Sequence, residues 1–233
     1  MKQEAAKGRL VVIEGLDGSG KATQAALLLD ELRERFAGEK KVLKISFPDY
    51  QNPSSTLVKL YLNGEIGSHD EVNPFAASSF YSLDRYISYQ TTWGEDYRNG
   101  AVVVADRYTT SNLSYQMVKC PREEWLDYIR WLSEFEYGKL GLPQPGLVVY
   151  LDMHPEASRK LISARYSGDE RKRDLHEADF DYLTRCRDAA LFAAETLGWK
   201  VIPCSDKARN PLLVEQIRAQ DRRVVDRWLY KEI

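Results

Sequence analysis

The chain has 233 residues, of which 43% are hydrophobic and 29% charged, as in ordinary globular proteins and unlike disordered or fibrous ones. Its formal net charge of −2 argues against general binding to nucleic acid or membrane surfaces. No apolar run approaches the about 20 residues that cross a bilayer, and we expect neither export nor membrane insertion. Chains of this length commonly form one unit, so we predict a single domain over residues 1–233.

The cysteines indicate the cellular compartment. Cys120, Cys186 and Cys204 are far apart in the sequence and leave one thiol unpaired in any disulfide scheme. Disulfides are rare in reducing compartments. We therefore predict free thiols and a cytoplasmic protein.

Short apolar runs alternate with helical patterns along the chain. Residues 9–14, RLVVIE, lead into a glycine-rich turn and then into a predicted helix whose apolar face is Ala25, Leu28, Leu29, Leu32 and Phe36. Further predicted strands are KVLKISF (41–47), AVVVA (101–105), LVVYLD (147–152) and WKVIPC (199–204). This alternation predicts a doubly wound α/β fold with a central parallel sheet. In such folds ligands bind beyond the carboxyl ends of the strands.

The turn after the first strand reads GLDGSGKATQ, residues 15–24. It nearly matches the phosphate-binding GxxxxGK[ST] loop, but Ala22 replaces the hydroxyl that would hold magnesium. Its backbone N–H groups, the following helix N-terminus and Lys21 would still attract phosphate. Because Mg²⁺ usually keeps several waters, water can replace the missing ligand, whereas Thr23 would point about 100° away. We predict a working nucleotide loop over 15–23.

Asp17 places a carboxylate among groups arranged to attract anions. Repulsion makes this position costly unless a cation or a hydroxyl meets the carboxylate. A sugar hydroxyl or a basic side chain would meet this need. The alternative is that Asp17 only caps the turn through the backbone.

The segment DRYTTSNLSY, residues 106–115, follows a predicted buried strand. Asp106 can hold the waters of a magnesium ion, and Arg107 can clamp a phosphate with two donors. Asn112 and Tyr115 share a face if the segment is helical. The alternative is an internal ion pair of Asp106 with Arg107 beside a core tyrosine.

The segment FYSLDRY, residues 80–86, begins a long helical stretch after the turn signal NP. Tyr81 and Arg85 are four residues apart and share a helix face, so they can offer an aromatic platform and a two-donor fork to a base. The alternative is a core aromatic residue with a surface arginine.

A basic stretch, RYSGDERKRDLHE, covers residues 165–177 and contains Arg165, Arg171, Lys172 and Arg173. Such a run is usually a solvated loop. Phosphoryl transfer, however, benefits from cations that close over the γ-phosphate. Because the nucleotide loop is present, we interpret this stretch as a lid.

Taken together, these segments resemble the thymidylate kinases. The resemblance spans roughly residues 9–220 and is carried by GLDGSGKATQ, FPDY (47–50), FYSLDR (80–85), DRYTTSNLSY (106–115), LPQP (142–145) and DLHEADFDYL (174–183). The loop alone is shared with a large superfamily, whereas DRY followed by SNxxY at this spacing is far more specific.

The resemblance implies a P-loop kinase fold, in which helices cover both faces of a parallel sheet and a short basic lid covers the site. It implies direct transfer of the γ-phosphoryl group of ATP to dTMP, giving dTDP and ADP in dTTP synthesis, with Mg²⁺ bridging the donor phosphates. Members of the family are usually homodimers. Small nucleotides are the partners that the family implies.

Site residues follow from the resemblance position by position. Those implied for ATP are Gly15, Gly18, Ser19, Gly20, Lys21, Ala22 and Thr23. Those implied for dTMP are Asp17, Phe47, Tyr81, Arg85, Arg107, Asn112, Tyr115 and Glu177. Those implied in catalysis are Lys21, Asp17, Arg107, Arg165, Arg171 and Arg173, while Asp106 contacts the metal through water.

The family also implies roles at the acceptor. Tyr81 would stack on thymine, Arg85 would donate to the carbonyl that distinguishes thymine from cytosine, and Asn112 would contact the base. Tyr115 would crowd the position of a ribose hydroxyl. Glu177 matches a carboxylate at the lid edge.

The sequence departs from the family pattern at two further positions. The nucleotide loop has no arginine, so the charge of the transition state must be met from the basic lid. Gly146 follows LPQP where an aspartate is common, which puts a structural contact in doubt.

Two alternatives remain. The chain could be a kinase for dUMP, UMP or CMP, against which the Tyr81, Arg85, Asn112 and Tyr115 arrangement argues. It could also be a non-catalytic nucleotide-binding module, although it lacks the NKxD signature of guanine switches.

Overall fold

A computed structural model describes residues 8–68, 70–165 and 180–230, with only the backbone described for 162–165. The described residues form one parallel sheet in the strand order β2-β3-β1-β4-β5. The strands are β1 (Arg9–Gly15), β2 (Val42–Ser46), β3 (Val102–Asp106), β4 (Leu147–Asp152) and β5 (Lys200–Pro203). Each lies on one of the predicted apolar runs, so the α/β prediction is confirmed.

Helices connect and flank these strands. They are α1 (Lys21–Arg35), α2 (Thr56–Leu62), α3 (Pro74–Ser88), α4 (Gly94–Arg98), α5 (Thr110–Tyr115), α6 (Trp125–Ser133), α7 (Pro155–Arg165), α8 (Phe180–Leu197) and α9 (Val214–Tyr230). Short 3₁₀ turns cover Pro53–Ser55, Met117–Lys119 and Arg122–Glu124, and π-helical turns cover Tyr89–Trp93 and Glu134–Lys139.

Both faces of the sheet are buried. Because side chains alternate along a strand, Leu10 and Val12 of β1 pack into a core with α5, α6 and α8. Val11 and Ile13 pack on the opposite face with α1 and α9. This two-sided burial explains why the strand sequences are almost continuously apolar.

Local sequence sets the starts of the two helices that carry site residues. Gly20 caps α1 with a left-handed backbone, φ 83°, a conformation that glycine adopts without steric cost. At α3, the Asn73 side chain accepts hydrogen bonds from the N–H groups of Phe75 and Ala76 at 2.8 and 3.3 Å, and Pro74 occupies the first turn. The turn signal NP is therefore a helix cap.

The strand register places the site residues. Asp106, the last residue of β3, is level with Ile13 of β1 and Ser46 of β2. The residues that follow these strands therefore meet at one carboxyl edge, where ligands bind in such sheets.

Gly146, which precedes β4, lies against α9. A Cβ atom added there would come within 2.9 Å of Cζ2 of the Trp228 indole. Packing against Trp228 thus requires a residue without a side chain.

Two further expectations concern the cysteines and membrane-spanning helices. All three cysteines are free thiols, and Cys186 and Cys204 are buried. Within the described ranges, no helix combines the length and apolar character needed to cross a membrane.

Candidate active site

A cavity of about 360 Å³ opens at the carboxyl edge of the sheet. It joins the nucleotide loop to the segments after β2 and β3 and to α3 and α5. Its lining residues are Asp17, Gly18, Gly20, Lys21, Ala22, Thr23, Ser46, Phe47, Pro48, Tyr50, Leu62, Tyr81, Arg85, Asp106, Arg107, Tyr108, Ser111, Asn112, Tyr115 and Gln116. Another cavity, of about 450 Å³, is bordered by Gly146, Trp199 and Trp228 and by no residue of the 15–23 loop.

The nucleotide loop has the backbone that its mechanism requires. Gly18 and Gly20 have φ of 76° and 83°, which turn successive N–H groups toward one side. Gly15 is needed for space, because a Cβ there would lie 2.5 Å from the Ser19 hydroxyl oxygen. Lys21 Nζ donates to the Leu16 carbonyl at 3.1 Å.

Asp17 is the centre of a largely buried charge cluster. Its carboxylate contacts Lys21 Nζ at 3.2 Å, the Arg107 guanidinium at 2.5 Å and the Tyr115 hydroxyl at 3.0 Å. The Asp17 N–H also donates to the Tyr115 hydroxyl at 3.2 Å. Cations and a hydroxyl therefore meet this carboxylate, and Asp17 is more than a backbone cap.

The cluster shifts the pKa values of its members. Burial alone would raise the pKa of Asp17, but Arg107 and Lys21 hold it well below its usual range. Burial and the charge of Arg107 lower the pKa of Lys21. Burial and the charge of Asp17 raise the pKa of Tyr115 well above 10.0. At neutral pH Asp17 is ionised and the Tyr115 hydroxyl keeps its proton.

Arg107 has an unusual backbone. Its φ is 68°, a left-handed conformation that costs a non-glycine residue on the order of 1–3 kcal/mol and occurs often at functional sites. The guanidinium also lies 3.7 Å from Glu14. Arg107 therefore pairs with Asp17 and Glu14 rather than with Asp106, so the predicted alternative of an Asp106–Arg107 pair is wrong.

Further along the cavity, α3 and α5 present the predicted base contacts. Tyr81 and Arg85 line the wall from one face of α3, and Asn112 and Tyr115 line it from α5. The ring of Phe47, the residue directly after β2, lies 6.0 Å from the ring of Tyr108, measured between centroids. Arg85 is only 1% exposed, so the alternative of a surface arginine is also wrong.

Asp106 fits a water-mediated contact to a cation. Its carboxylate lines the cavity, and its charge acts on Lys21. In the described ranges, no group of three or more His, Cys, Asp or Glu side chains could hold a metal by itself. This donor set suits Mg²⁺, which binds through few carboxylates together with water and substrate phosphates.

Not all predicted residues come together in the described structure. Gly15 and Ser19 are buried within the loop and do not border the cavity. Arg165 ends α7, and its side chain lies outside the described atoms. Arg171, Arg173 and Glu177 lie outside the described residues altogether.

Sequence reasoning missed several residues around the cavity. Glu14 is fully buried and accepts hydrogen bonds from the Gly15 N–H and from the hydroxyls of Thr110 and Ser111. Gln116 borders the cavity beside Tyr115, and its position directly after the DRYTTSNLSY segment was the available signal. The Ser158 hydroxyl of α7 donates to the Asp17 carbonyl, a contact that no pattern in the sequence marks.

A phosphate-binding loop that follows the first strand of a parallel sheet, and that shares one cavity with an arginine placed just after β3, is typical of the P-loop nucleotide kinases. In this class the donor phosphates lie on the loop and the acceptor lies opposite.

Comparison with known proteins specifies the family. A model of the thymidylate kinase family, described as "Thymidylate kinase", matches residues 13–215. The thymidylate kinase of Mycobacterium tuberculosis is 31% identical over 179 residues, which are 76% of this chain and 81% of that protein.

Solved structures show the same fold. The thymidylate kinase of Candida albicans superposes with a TM-score of 0.64 at 21% identity, over 94% of this chain and 92% of that one. The enzyme of Ehrlichia chaffeensis also gives 0.64, at 16% identity, over 94% and 99% of the two chains.

The chain therefore belongs to the thymidylate kinase family. Its enzyme class is that of the ATP-dependent nucleoside monophosphate kinases, which are phosphotransferases.

Proposed function

We propose that this enzyme transfers the γ-phosphoryl group of ATP to dTMP, giving dTDP and ADP. The observation that carries the proposal is a single cavity that runs from Lys21 in the nucleotide loop, past Asp17 and Arg107, to Tyr81 and Arg85. Donor phosphates, acceptor phosphate and base would each meet residues of suitable chemistry along this path.

At the donor end, the loop backbone and Lys21 bind the ATP phosphates. Lys21 now contacts the Leu16 carbonyl and Asp17, so an incoming phosphate oxygen would compete for the same ammonium group. Asp106 would hold Mg²⁺ through water, and Mg²⁺ when bound neutralises the charge on the donor phosphates. Ala22 leaves one coordination position to water.

At the acceptor end, Arg107 binds the dTMP phosphate with its two-donor fork. Asp17 holds that guanidinium in place through their contact at 2.5 Å. The acceptor phosphate is already a nucleophile at neutral pH, so the enzyme needs no general base. Positioning and charge neutralisation supply the catalysis.

At the base, Tyr81 stacks on thymine while Arg85 and Asn112 contact its polar edge, with Phe47 beside them. Tyr115 crowds the ribose hydroxyl position. Glu177 would approach the acceptor from the lid, and Arg165, Arg171 and Arg173 would meet the transition-state charge. These lid roles rest on the family pattern and on the basic composition of residues 165–177.

We further propose a single-domain homodimer in the cytoplasm that acts on small nucleotides and not on nucleic acid. The free thiols and the net charge of −2 support the location and the partners. Leu83 and Ile87, each 39% exposed on α3, offer an apolar face for a second copy.

A coupled assay of ADP formation from ATP and Mg²⁺ tests the function, with dTMP, dUMP, UMP, CMP and AMP compared by kcat/KM. We expect selective turnover of dTMP, and no turnover once EDTA removes divalent cations. Preference for another monophosphate would overturn the substrate and retain the kinase. ATP binding without transfer to any acceptor would support a non-catalytic module.

A further inference from the structure

The buried carboxylate of Glu136 accepts hydrogen bonds from Arg85 and Asn112, two of the residues proposed to contact the base. Glu136 lies on the π-helical turn Glu134–Lys139, is fully buried and does not border the cavity. Its oxygens accept hydrogen bonds from Arg85 Nε at 2.8 Å, Arg85 Nη2 at 2.5 Å and the Ser82 hydroxyl at 2.9 Å. Asn112 Nδ2 donates to the same carboxylate at 3.4 Å.

The contact with Glu136 fixes which donors Arg85 presents. A guanidinium has five N–H donors. Among the described residues, two are directed to Glu136 and one, at 3.4 Å, to the Tyr108 carbonyl. The remaining donors are on the terminal nitrogens of a side chain that lines the cavity, where they can meet a ligand carbonyl.

The same carboxylate fixes the orientation of the Asn112 amide. Asn112 Nδ2 has two neighbours, the Glu136 carboxylate and the Ser78 carbonyl, each at 3.4 Å. Because both neighbours only accept hydrogen bonds, the NH₂ group must face them. The amide oxygen is then the group left to accept a hydrogen bond from a ligand.

Together, the two side chains present a donor beside an acceptor. Thymine and uracil offer the matching edge, a carbonyl oxygen next to an imino N–H. Cytosine offers the reverse, an exocyclic amine next to an unprotonated ring nitrogen. Which side chain offers the donor and which the acceptor therefore depends on Glu136. Its carboxylate contacts both side chains from the π-helical turn Glu134–Lys139.

We propose that Glu136 is a positioning residue that gives the acceptor site its selectivity for a carbonyl-bearing pyrimidine over cytosine. This inference rests on the proposed function. Glu136 acts through Arg85 on α3 and Asn112 on α5. These two residues are far apart in the sequence, and the carboxylate of Glu136 contacts both of them. A purely structural role would instead lower stability and affect all acceptors alike.

The test compares kcat/KM for dTMP and dCMP in the wild type and in Glu136→Gln. We expect the dTMP to dCMP ratio to fall about 10- to 100-fold, which is the value of one or two charge-assisted hydrogen bonds. The change should appear mainly in the KM for dTMP, with the KM for ATP unchanged. Glu134→Gln is the matched control, because Glu134 lies on the same turn but pairs with Lys139 at the surface.

A double-mutant cycle separates positioning from structure. In an Arg85→Gln background, Glu136→Gln should lose most of its effect on the ratio, because no guanidinium remains to be positioned and only the 3.4 Å contact with Asn112 is left. An equal effect in both backgrounds would overturn the inference. If Glu136→Gln does not fold, Glu136→Asp keeps the buried charge but withdraws the carboxylate by one methylene from Arg85 and Asn112, and an unchanged ratio in that variant would also overturn it.

Failure of the inference is distinguishable from failure of the proposed function. A wild-type enzyme without preference for dTMP overturns both. A dTMP-selective wild type whose selectivity survives Glu136→Gln overturns only the role of Glu136.

Discussion

Arg107 shows how one side chain can serve both the architecture and the proposed reaction. It follows β3 and has a left-handed backbone. Its guanidinium contacts both Asp17 of the nucleotide loop and Ser111 in the first turn of α5. Burial would lower the pKa of Arg107, but Asp17, Tyr115 and Glu14 raise it well above its usual range. A permanent positive charge therefore faces the proposed acceptor phosphate.

Arg107→Ala should raise the KM for dTMP about 10- to 100-fold or more, because it removes a two-donor, charge-assisted contact to the acceptor phosphate. Steady-state kinetics with dTMP varied at saturating ATP measures the effect. Arg130→Ala is the control, because Arg130 is 73% exposed and pairs only with Asp127 among the described residues. Unchanged KM and kcat in Arg107→Ala would exclude the assigned role.

Two features of α9 show how single residues affect the stability of one helix. One is the Trp228 indole lying against Gly146, and the other is Asp221, which faces α1. Asp221 is fully buried, and one of its oxygens accepts from Arg218 at 2.5 Å. The other oxygen has no hydrogen-bond partner among the described residues. The helix is thus packed closely at one end and carries, at another position, a buried carboxylate of which one oxygen lacks a hydrogen bond.

Gly146→Ala should destabilise the fold by about 1–3 kcal/mol, because the new methyl group would overpack against Trp228. Urea unfolding at constant pH gives the difference in the free energy of unfolding. Gly138→Ala is the matched control, since its nearest neighbour would be 3.7 Å away, and we expect it to be neutral or slightly stabilising. Equal unfolding midpoints for Gly146→Ala and the wild type would contradict the packing argument.

Burial raises the pKa of Asp221 to about 6, although Arg218 opposes the shift. Because this value exceeds that of an unfolded aspartate, about 3.9, the folded state binds the proton more tightly. The resulting stabilisation is fully present below about pH 4 and is lost as the pH rises through about 6.

Asp221→Asn should therefore gain stability relative to the wild type as the pH rises from about 4 to about 7, by on the order of 2 kcal/mol. Urea unfolding of both proteins at several pH values in this range measures the change. Comparing the two proteins cancels the opposite contribution of Asp17, whose depressed pKa stabilises the fold above about pH 4. A difference that does not vary with pH would show that Asp221 titrates normally.

At the scale of the whole molecule, α3 links the site to the surface. Tyr81 and Arg85 point into the cavity, while Leu83 and Ile87 are exposed about half a turn away. One helix can therefore hold the base and meet a second copy of the chain. This arrangement would keep the proposed dimer contact close to the acceptor pocket.

The double substitution Leu83→Glu with Ile87→Glu should convert the proposed homodimer into a monomer, because it places four charges at the symmetric contact. Sedimentation velocity of the purified protein measures the mass. Leu126→Glu on α6 is the control, since Leu126 is also exposed, at 45%. A wild type that sediments as a monomer would refute the dimer, and a dimer that survives the double substitution would refute the α3 contact.

The amino-acid sequence by itself determined the parallel sheet, the nucleotide loop and the segments that line the cavity. These features depend on local patterns. Apolar runs predict buried strands, glycines at fixed spacing predict the loop, and residues four apart on a helix predict a shared face, as for Tyr81 and Arg85. The single-domain, homodimer and lid predictions remain predictions.

Only the tertiary structure decided which partners these residues have. Glu136 is 51 residues from Arg85, Asp17 is 90 residues from Arg107, and Gly146 meets Trp228 across two elements. No local periodicity encodes such pairs, because they depend on how strands and helices pack around a common core. The sequence could therefore locate the residues of the site, while packing determined how their charges and hydrogen-bond donors are arranged.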